Sequence, residues 1–375
     1  MKLLIKNVII CGERDDLIPS NICIKDGKFS FDVQDTFDAE IDFEGDYCSP
    51  GFIDIQVYGG NGELFADNPG IESLKAMYDY SLEGGATTIL PTIATNSEEI
   101  MYRSIDAIKA YQQQGLPGIH GLHLEGPFIN ATKRGAHIES FIKQPVYKDV
   151  EALLEYGKGI IKLITLAPEC CDGAILDMIK SYSIKMSIGH SDSTYEQAIN
   201  AFDKNINLVT HLFNAMPALH HRKPGLATAA MMHPQAMASI VADGFHVNFE
   251  IIALAKKIMQ ERLFLITDAV TNSEGVYPHQ LQGEKYVLPD GTLSGSALTM
   301  LKAVQNCVRL VGIDVAEAIR MASLYPAKTM GIENETGSIK EGFTADFLRI
   351  DKNIILKAVY NAGRQVLPAC TEEII

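Results

Sequence analysis

Residues 121–128, Gly121-Leu122-His123-Leu124-Glu125-Gly126-Pro127-Phe128, form an apolar run that delivers one carboxylate and then turns at Gly-Pro. A short apolar run ending in a lone acid reads as a buried strand presenting its last side chain at a rim. Three later runs end alike, in Gly189-His190-Ser191, Thr210-His211-Leu212 and Thr267-Asp268-Ala269. If the four are neighbouring strands, Glu125, His190, His211 and Asp268 meet at one end of a sheet. One carboxylate with two imidazoles is a metal-ligand set, and a further carboxylate beside it is a general base.

Outward from this stretch the texture is regular. Strand-like runs occur at 51–57, 87–93, 119–125, 160–166, 185–190, 208–213, 238–242 and 263–268. Amphipathic segments lie between them, at 71–83, 97–113, 150–156, 174–181, 194–202, 249–260 and 298–310. Eight buried strands alternating with helices predict an α/β fold of the (β/α)8 TIM-barrel type. The strands are continuous apolar runs, as strands buried on both faces should be. A doubly wound sheet is the competing architecture. Gly59-Gly60-Asn61-Gly62 lacks the spacing of its dinucleotide fingerprint.

Both chain ends read differently. The first residues alternate apolar and polar, with a turn signal at Asp26-Gly27. After Gly337 short strands return at 345–350 and 357–363. These predict a small β-sandwich domain built from 1–48 and 340–375, with the barrel spanning 49–339. Residues 275–291 interrupt the barrel rhythm and predict an inserted hairpin.

The chain has 375 residues, is 47% hydrophobic and carries a net charge of −15. Such acidity argues against nucleic-acid or membrane-surface partners. No apolar stretch reaches the roughly 18 residues of a membrane span, and the start does not resemble a signal peptide. Seven cysteines without repeating spacing read as reduced thiols, hence a cytoplasmic protein.

A lone histidine on an apolar run is more often a hydrogen-bonded core residue than a ligand. Here position decides. Polar residues at strand C-termini of a barrel face the site, and unpaired buried charges at several strand ends would be costly. His246, just beyond Ala242-Asp243-Gly244, joins the set. His123 shares the strand face of Glu125 and reads either as support for the site or as core. His233 and His279 lie in loop-like text and carry no signal. His220-His221-Arg222-Lys223 is the one dense cationic patch. It reads as a solvated loop, or as a grip on an anionic substrate if it lies on the active-site face.

Together, His123-Leu124-Glu125-Gly126-Pro127-Phe128, Thr210-His211-Leu212-Phe213-Asn214-Ala215-Met216 and Leu293-Ser294-Gly295-Ser296-Ala297-Leu298-Thr299-Met300 resemble the N-acetylglucosamine-6-phosphate deacetylases of the amidohydrolase superfamily. The likeness runs through Ser49-Pro50-Gly51-Phe52-Ile53-Asp54 and the tail at 337–346. It implies Glu125, His190 and His211 as ligands to one divalent metal, with Asp268 as the catalytic acid/base. Zinc suits that set, and other divalent transition metals suit it nearly as well. The resemblance further implies substrate contacts from Ala136, His137, Asn214, Ala215, His246, Leu293, Ser294 and Gly295. It implies Arg222 as a phosphate ligand reaching across from the second subunit of a homodimer.

One departure matters. Most amidohydrolases carry a His-x-His pair on the first strand that binds a second metal, whereas this chain has Gln56 and Tyr58. Neither is a good ligand, so one metal is expected. The implied reaction is deacetylation of N-acetyl-D-glucosamine 6-phosphate to glucosamine 6-phosphate and acetate, in amino-sugar metabolism. Two rivals stand: another amidohydrolase such as a D-aminoacylase, and a phosphosugar-binding protein without catalysis.

Overall fold

The computed structural model describes residues 2–12, 17–32 and 36–368. The expected terminal domain therefore includes residues, among them Cys370, that lie outside the described ones. By compactness the chain divides into two units. One comprises Asp54–Tyr80 and Ile89–Leu298, the other Met1–Ile53, Ser81–Thr88 and Thr299–Ile375.

Eight strands form the barrel sheet: Phe52–Val57, Ala86–Ala94, Leu122–Glu125, Ile161–Leu166, Lys185–Ile188, Leu208–Val209, Met237–Val241 and Leu263–Ile266. They pair in sequence order, parallel from the second to the eighth. The first and eighth meet through main chain: the Asp268 N–H donates to the Gln56 carbonyl at 3.0 Å and the Tyr58 N–H to the Ala269 carbonyl at 2.9 Å. Every residue of the first, third and eighth strands is buried, as the continuous apolar runs predict.

Helix starts follow their capping residues. Ser97 accepts from the Ile100 N–H ahead of Glu98–Gln113. Thr194 and Gln197 form a reciprocal capping box ahead of Tyr195–Asp203. One helix, Leu226–Met232, had no periodic signal, because its Leu-Ala-Thr-Ala-Ala-Met-Met sequence is small or apolar on nearly every side. The predicted hairpin is part of a three-stranded antiparallel sheet of Gln280–Gln282, Lys285–Val287 and Leu293–Ser296.

In the other unit both chain ends build one eight-stranded sheet. Its strand Lys2–Cys11 pairs antiparallel with Leu17–Lys25. On its other edge it pairs parallel with Ala39–Asp42 and then with Tyr47–Pro50. Phe347–Ile350, Leu356–Asn361 and Arg364–Leu367 extend the sheet from there. Its core includes Phe29, Phe43, Phe347 and Tyr360, the last two rings stacked at 4.3 Å. No disulfide joins the six described cysteines to one another. No described helix is long and apolar enough to cross a membrane.

Candidate active site

The ends of the barrel strands carry the site. Glu125 closes the third strand, and Gly126 turns the chain away at φ +91°. A Cβ on Gly126 would lie 2.1 Å from Thr95 Oγ1, so only glycine fits. His190, His211 and Asp268 sit just past their strands with φ of 48°, 34° and 55°. A left-handed backbone is costly for such residues, and clusters of it mark functional sites. Main-chain bonds hold each one: Asn130 N–H to the His190 carbonyl at 2.9 Å, Asn214 N–H to the His211 carbonyl at 2.9 Å, and Ser296 N–H to the Asp268 carbonyl at 2.9 Å.

The side chains converge. Glu125 Oε1 lies 3.0 Å from His211 Nε2 and 3.3 Å from His190 Nε2, and the two imidazole nitrogens are 3.1 Å apart. Glu125 Oε2 lies 3.0 Å from His137 Nε2. All four residues are buried. Burial opposes ionisation of Glu125, but His190 and His137 beside it hold its carboxyl well below the usual range.

Tautomers separate the roles of the histidines. His190 Nδ1 is 2.9 Å from the Lys133 carbonyl, which can only accept, so Nδ1 carries the proton and Nε2 presents a lone pair. Burial keeps this ring neutral, pushing its pKa down to about 4. That lone pair faces the Glu125 carboxylate, while His211 Nδ1 is buried without a partner. Three donor atoms therefore crowd one space with too few protons to satisfy them. A cation ligated by His190, His211 and Glu125 would resolve the conflict, so these residues fit a metal. His137 differs. Its Nδ1 lies 2.7 Å from Thr95 Oγ1 and accepts at 3.3 Å from the Thr95 N–H, which can only donate, and that leaves the proton on Nε2. Glu125, His137 and His190 also form a geometrically metal-capable group, but a protonated Nε2 donates rather than ligates.

Gln56, on the first strand, and Tyr58, just past it, reach the same cluster. Gln56 Nε2 is 3.0 Å from Glu125 Oε1, 2.9 Å from Asp268 Oδ1 and 2.8 Å from the Tyr58 hydroxyl. The Tyr58 hydroxyl donates to Glu125 Oε2. Asp268 is held above its usual range by burial, partly offset by His246 and His211. His246 Nε2 stands 3.7 Å from Asp268 Oδ2, oriented by Asp243 at 2.6 Å from its Nδ1.

One cavity is lined by every residue predicted for the site except Arg222, that is by Glu125, Ala136, His137, His190, His211, Asn214, Ala215, His246, Asp268, Leu293, Ser294 and Gly295. Arg222 is exposed and does not line it. His123 is a core residue. It is fully buried, with Nδ1 3.0 Å from the Ile55 carbonyl and Nε2 2.8 Å from Thr165 Oγ1, and burial pushes its pKa down to about 4. Sequence reasoning passed over His279, which lines the cavity. Loop residues carry no periodicity that could have flagged it.

The sequence model of the amidohydrolase family matches residues 47–371. The chain is 36% identical over 363 residues to an N-acetylglucosamine-6-phosphate deacetylase of Danio rerio, covering 90% of this chain and 89% of that protein. It is 30% identical to an N-acetylgalactosamine-6-phosphate deacetylase of Escherichia coli O157:H7, covering 86% and 88%. The crystal structure of N-acetylglucosamine-6-phosphate deacetylase from Pasteurella multocida superposes with a TM-score of 0.92 at 30% identity, covering 97% of this chain and 99% of that one.

Proposed function

Because the chain belongs to the amidohydrolase family, we propose that it removes the acetyl group from N-acetyl-D-glucosamine 6-phosphate, yielding glucosamine 6-phosphate and acetate in amino-sugar metabolism. The observation that carries this reading is the convergence of Glu125, His190 and His211 on one space beside Asp268. Relatives with this activity span most of the chain.

One divalent ion, zinc by preference, would be held by Glu125, His190 and His211, a His2Glu set that leaves a position open. Bound there, it would polarise the acetamide carbonyl and lower the pKa of an attacking water. Gln56 supports a single ion. Its amide nitrogen donates to Glu125 and Asp268, and an amide NH2 has no lone pair to offer a second metal.

The protein's own groups then manage protons and charge. Asp268, raised by burial above its usual range, accepts the proton of the attacking water as the new C–O bond forms. His137 Nε2–H donates to the carbonyl oxygen as negative charge grows on it. Asp268 returns its proton to the nitrogen as the C–N bond breaks, releasing the amine and acetate. Tyr58 and Gln56 hold Glu125 in place throughout.

Asn214 and Ala215 line the cavity while Arg222, farther along the same loop, is exposed. That supports a homodimer in which Arg222 serves the phosphate in the other subunit's cavity. An acidic chain whose described cysteines form no disulfide with one another suits a cytoplasmic setting.

The test is acetate release by purified protein from N-acetylglucosamine 6-phosphate, with and without a chelator. Turnover that stops on chelation and returns with Zn2+ supports the proposal. No acetate from the metal-replete protein counts against it. Equal rates on the unphosphorylated sugar would favour another amidohydrolase activity.

A further inference from the structure

The cavity holds five histidines, and four belong to the chemistry already described. His137, His190 and His211 meet Glu125, and His246 pairs with Asp243 beside Asp268. His279 is the fifth. It is only 5% exposed. Its ring lies parallel to that of Tyr277, 11° between planes and 6.0 Å between centroids. Its N–H donates to the Tyr277 carbonyl at 2.8 Å, and its carbonyl accepts from the Ser273 N–H at 3.2 Å. Nδ1 is 2.9 Å from Ser294 Oγ. The ring is thus fixed from several sides, yet among the described residues nothing hydrogen-bonds Nε2, on a residue that lines the cavity.

A polar atom fixed and left without a protein partner in a substrate cavity is a recognition group, because leaving it unmet carries a desolvation cost. We propose that His279 is a substrate-binding residue whose Nε2 hydrogen-bonds a ring hydroxyl of the amino sugar. The inference rests on the reaction proposed above. Chemistry narrows the choice of partner. Burial pushes the imidazole down to about 4, so the ring is uncharged near neutral pH and is a poor phosphate anchor. An acetyl methyl offers no hydrogen bond. A hydroxyl both donates and accepts, so it suits either tautomer. Relatives of this chain act on gluco- and galacto-configured substrates, which differ in the orientation of one hydroxyl, so such a contact bears on sugar choice.

The experiment compares wild type with His279→Phe, which keeps a ring against Tyr277 but removes the nitrogen, and with His279→Gln, which restores polar atoms. Substrates are N-acetylglucosamine 6-phosphate and its 1-, 3- and 4-deoxy analogues, with metal content measured alongside. His279→Phe is expected to lose about tenfold or more in kcat/KM on the parent sugar. Metal content should stay unchanged, and one deoxy analogue should be turned over equally by both proteins. His279→Gln should recover part of the loss. Unchanged kcat/KM in His279→Phe, or the same loss on every analogue, overturns the assignment while the reaction stands. Failure of the wild type to release acetate overturns the reaction, and the assignment with it.

Discussion

Gln56 Nε2 lies 2.9 Å from Asp268 Oδ1, joining the first strand to the residue two past the end of the eighth. The same nitrogen is 3.0 Å from Glu125 Oε1, so one amide orients both the acid/base and a proposed metal ligand. Gln56→Ala should leave about one metal ion per chain and lower kcat by roughly 10–100-fold, as loss of a ligand-orienting partner does. Steady-state kinetics with elemental analysis would decide. A variant that keeps full kcat shows that Asp268 and Glu125 need no such tether.

His137 and His211 both reach Glu125 through Nε2, at 3.0 Å each, yet they should respond oppositely to removal. His211→Ala should weaken metal binding and lower the melting temperature of the metal-loaded protein, because a ligand is lost. His137→Ala should keep its metal and lose on the order of 10²–10³ in kcat, the cost of one oxyanion donor. Metal loss from the His137 variant and retention in the His211 variant would reverse the two roles.

Much of this was legible in the sequence, for a physical reason. A barrel places strand C-termini on one rim, so an ionisable residue ending an apolar run declares its own position. Glu125, His190, His211 and Asp268 were singled out in that way, and the runs that carry them contain the barrel strands, although three of the strands end two to four residues before their runs do. What stayed hidden was set by contacts between distant segments. Gln56 and Tyr58 were legible only as replacements for a histidine pair, because their partners lie 69 and 67 residues away. His123 could not be assigned from its strand face, since only the barrel interior reveals Thr165 and the Ile55 carbonyl as its partners. His279 sits on a loop, where no period exists to read. The left-handed backbone at His190, His211 and Asp268 has no sequence mark either, because none of them is a glycine.

Glu169 braces the segment that carries His190. Its Oε1 accepts from Asn130 Nδ2 at 3.0 Å and from the Asp192 N–H at 2.7 Å, and its Oε2 accepts from Ser191 and Ser193 hydroxyls, both at 2.8 Å. Four bonds on one carboxylate fix the three residues that follow His190, together with Asn130, whose N–H bonds the His190 carbonyl. Glu169→Ala should raise the metal dissociation constant by roughly 10–100-fold. Competition against a calibrated chelator measures this directly. Unchanged metal affinity together with a lower melting temperature would reduce Glu169 to a general structural role.

Asp54 gives a pH prediction away from the metal ligands. Its Oδ1 accepts from the Gln56 and Thr267 N–H groups, each at 3.2 Å, and its Oδ2 accepts from the Thr267 hydroxyl. Complete burial outweighs those bonds and pushes the carboxyl up to about 7. In the unfolded chain it titrates near about 4. Between these values the folded protein keeps a proton that the unfolded chain releases. The stabilisation from this group is therefore full below about pH 4 and is lost as pH rises to about 7. Asp54→Asn cannot ionise. Its amide can donate to Thr267 Oγ1, whose own proton has the Gln56 carbonyl 3.4 Å away. Relative to wild type, Asp54→Asn should gain on the order of 3 kcal/mol in stability between pH 4.5 and pH 8. Urea unfolding of the metal-free proteins at both pH values reads the difference. Parallel stability curves would mean that Asp54 ionises alike in both states, and that its hydrogen bonds fully offset burial.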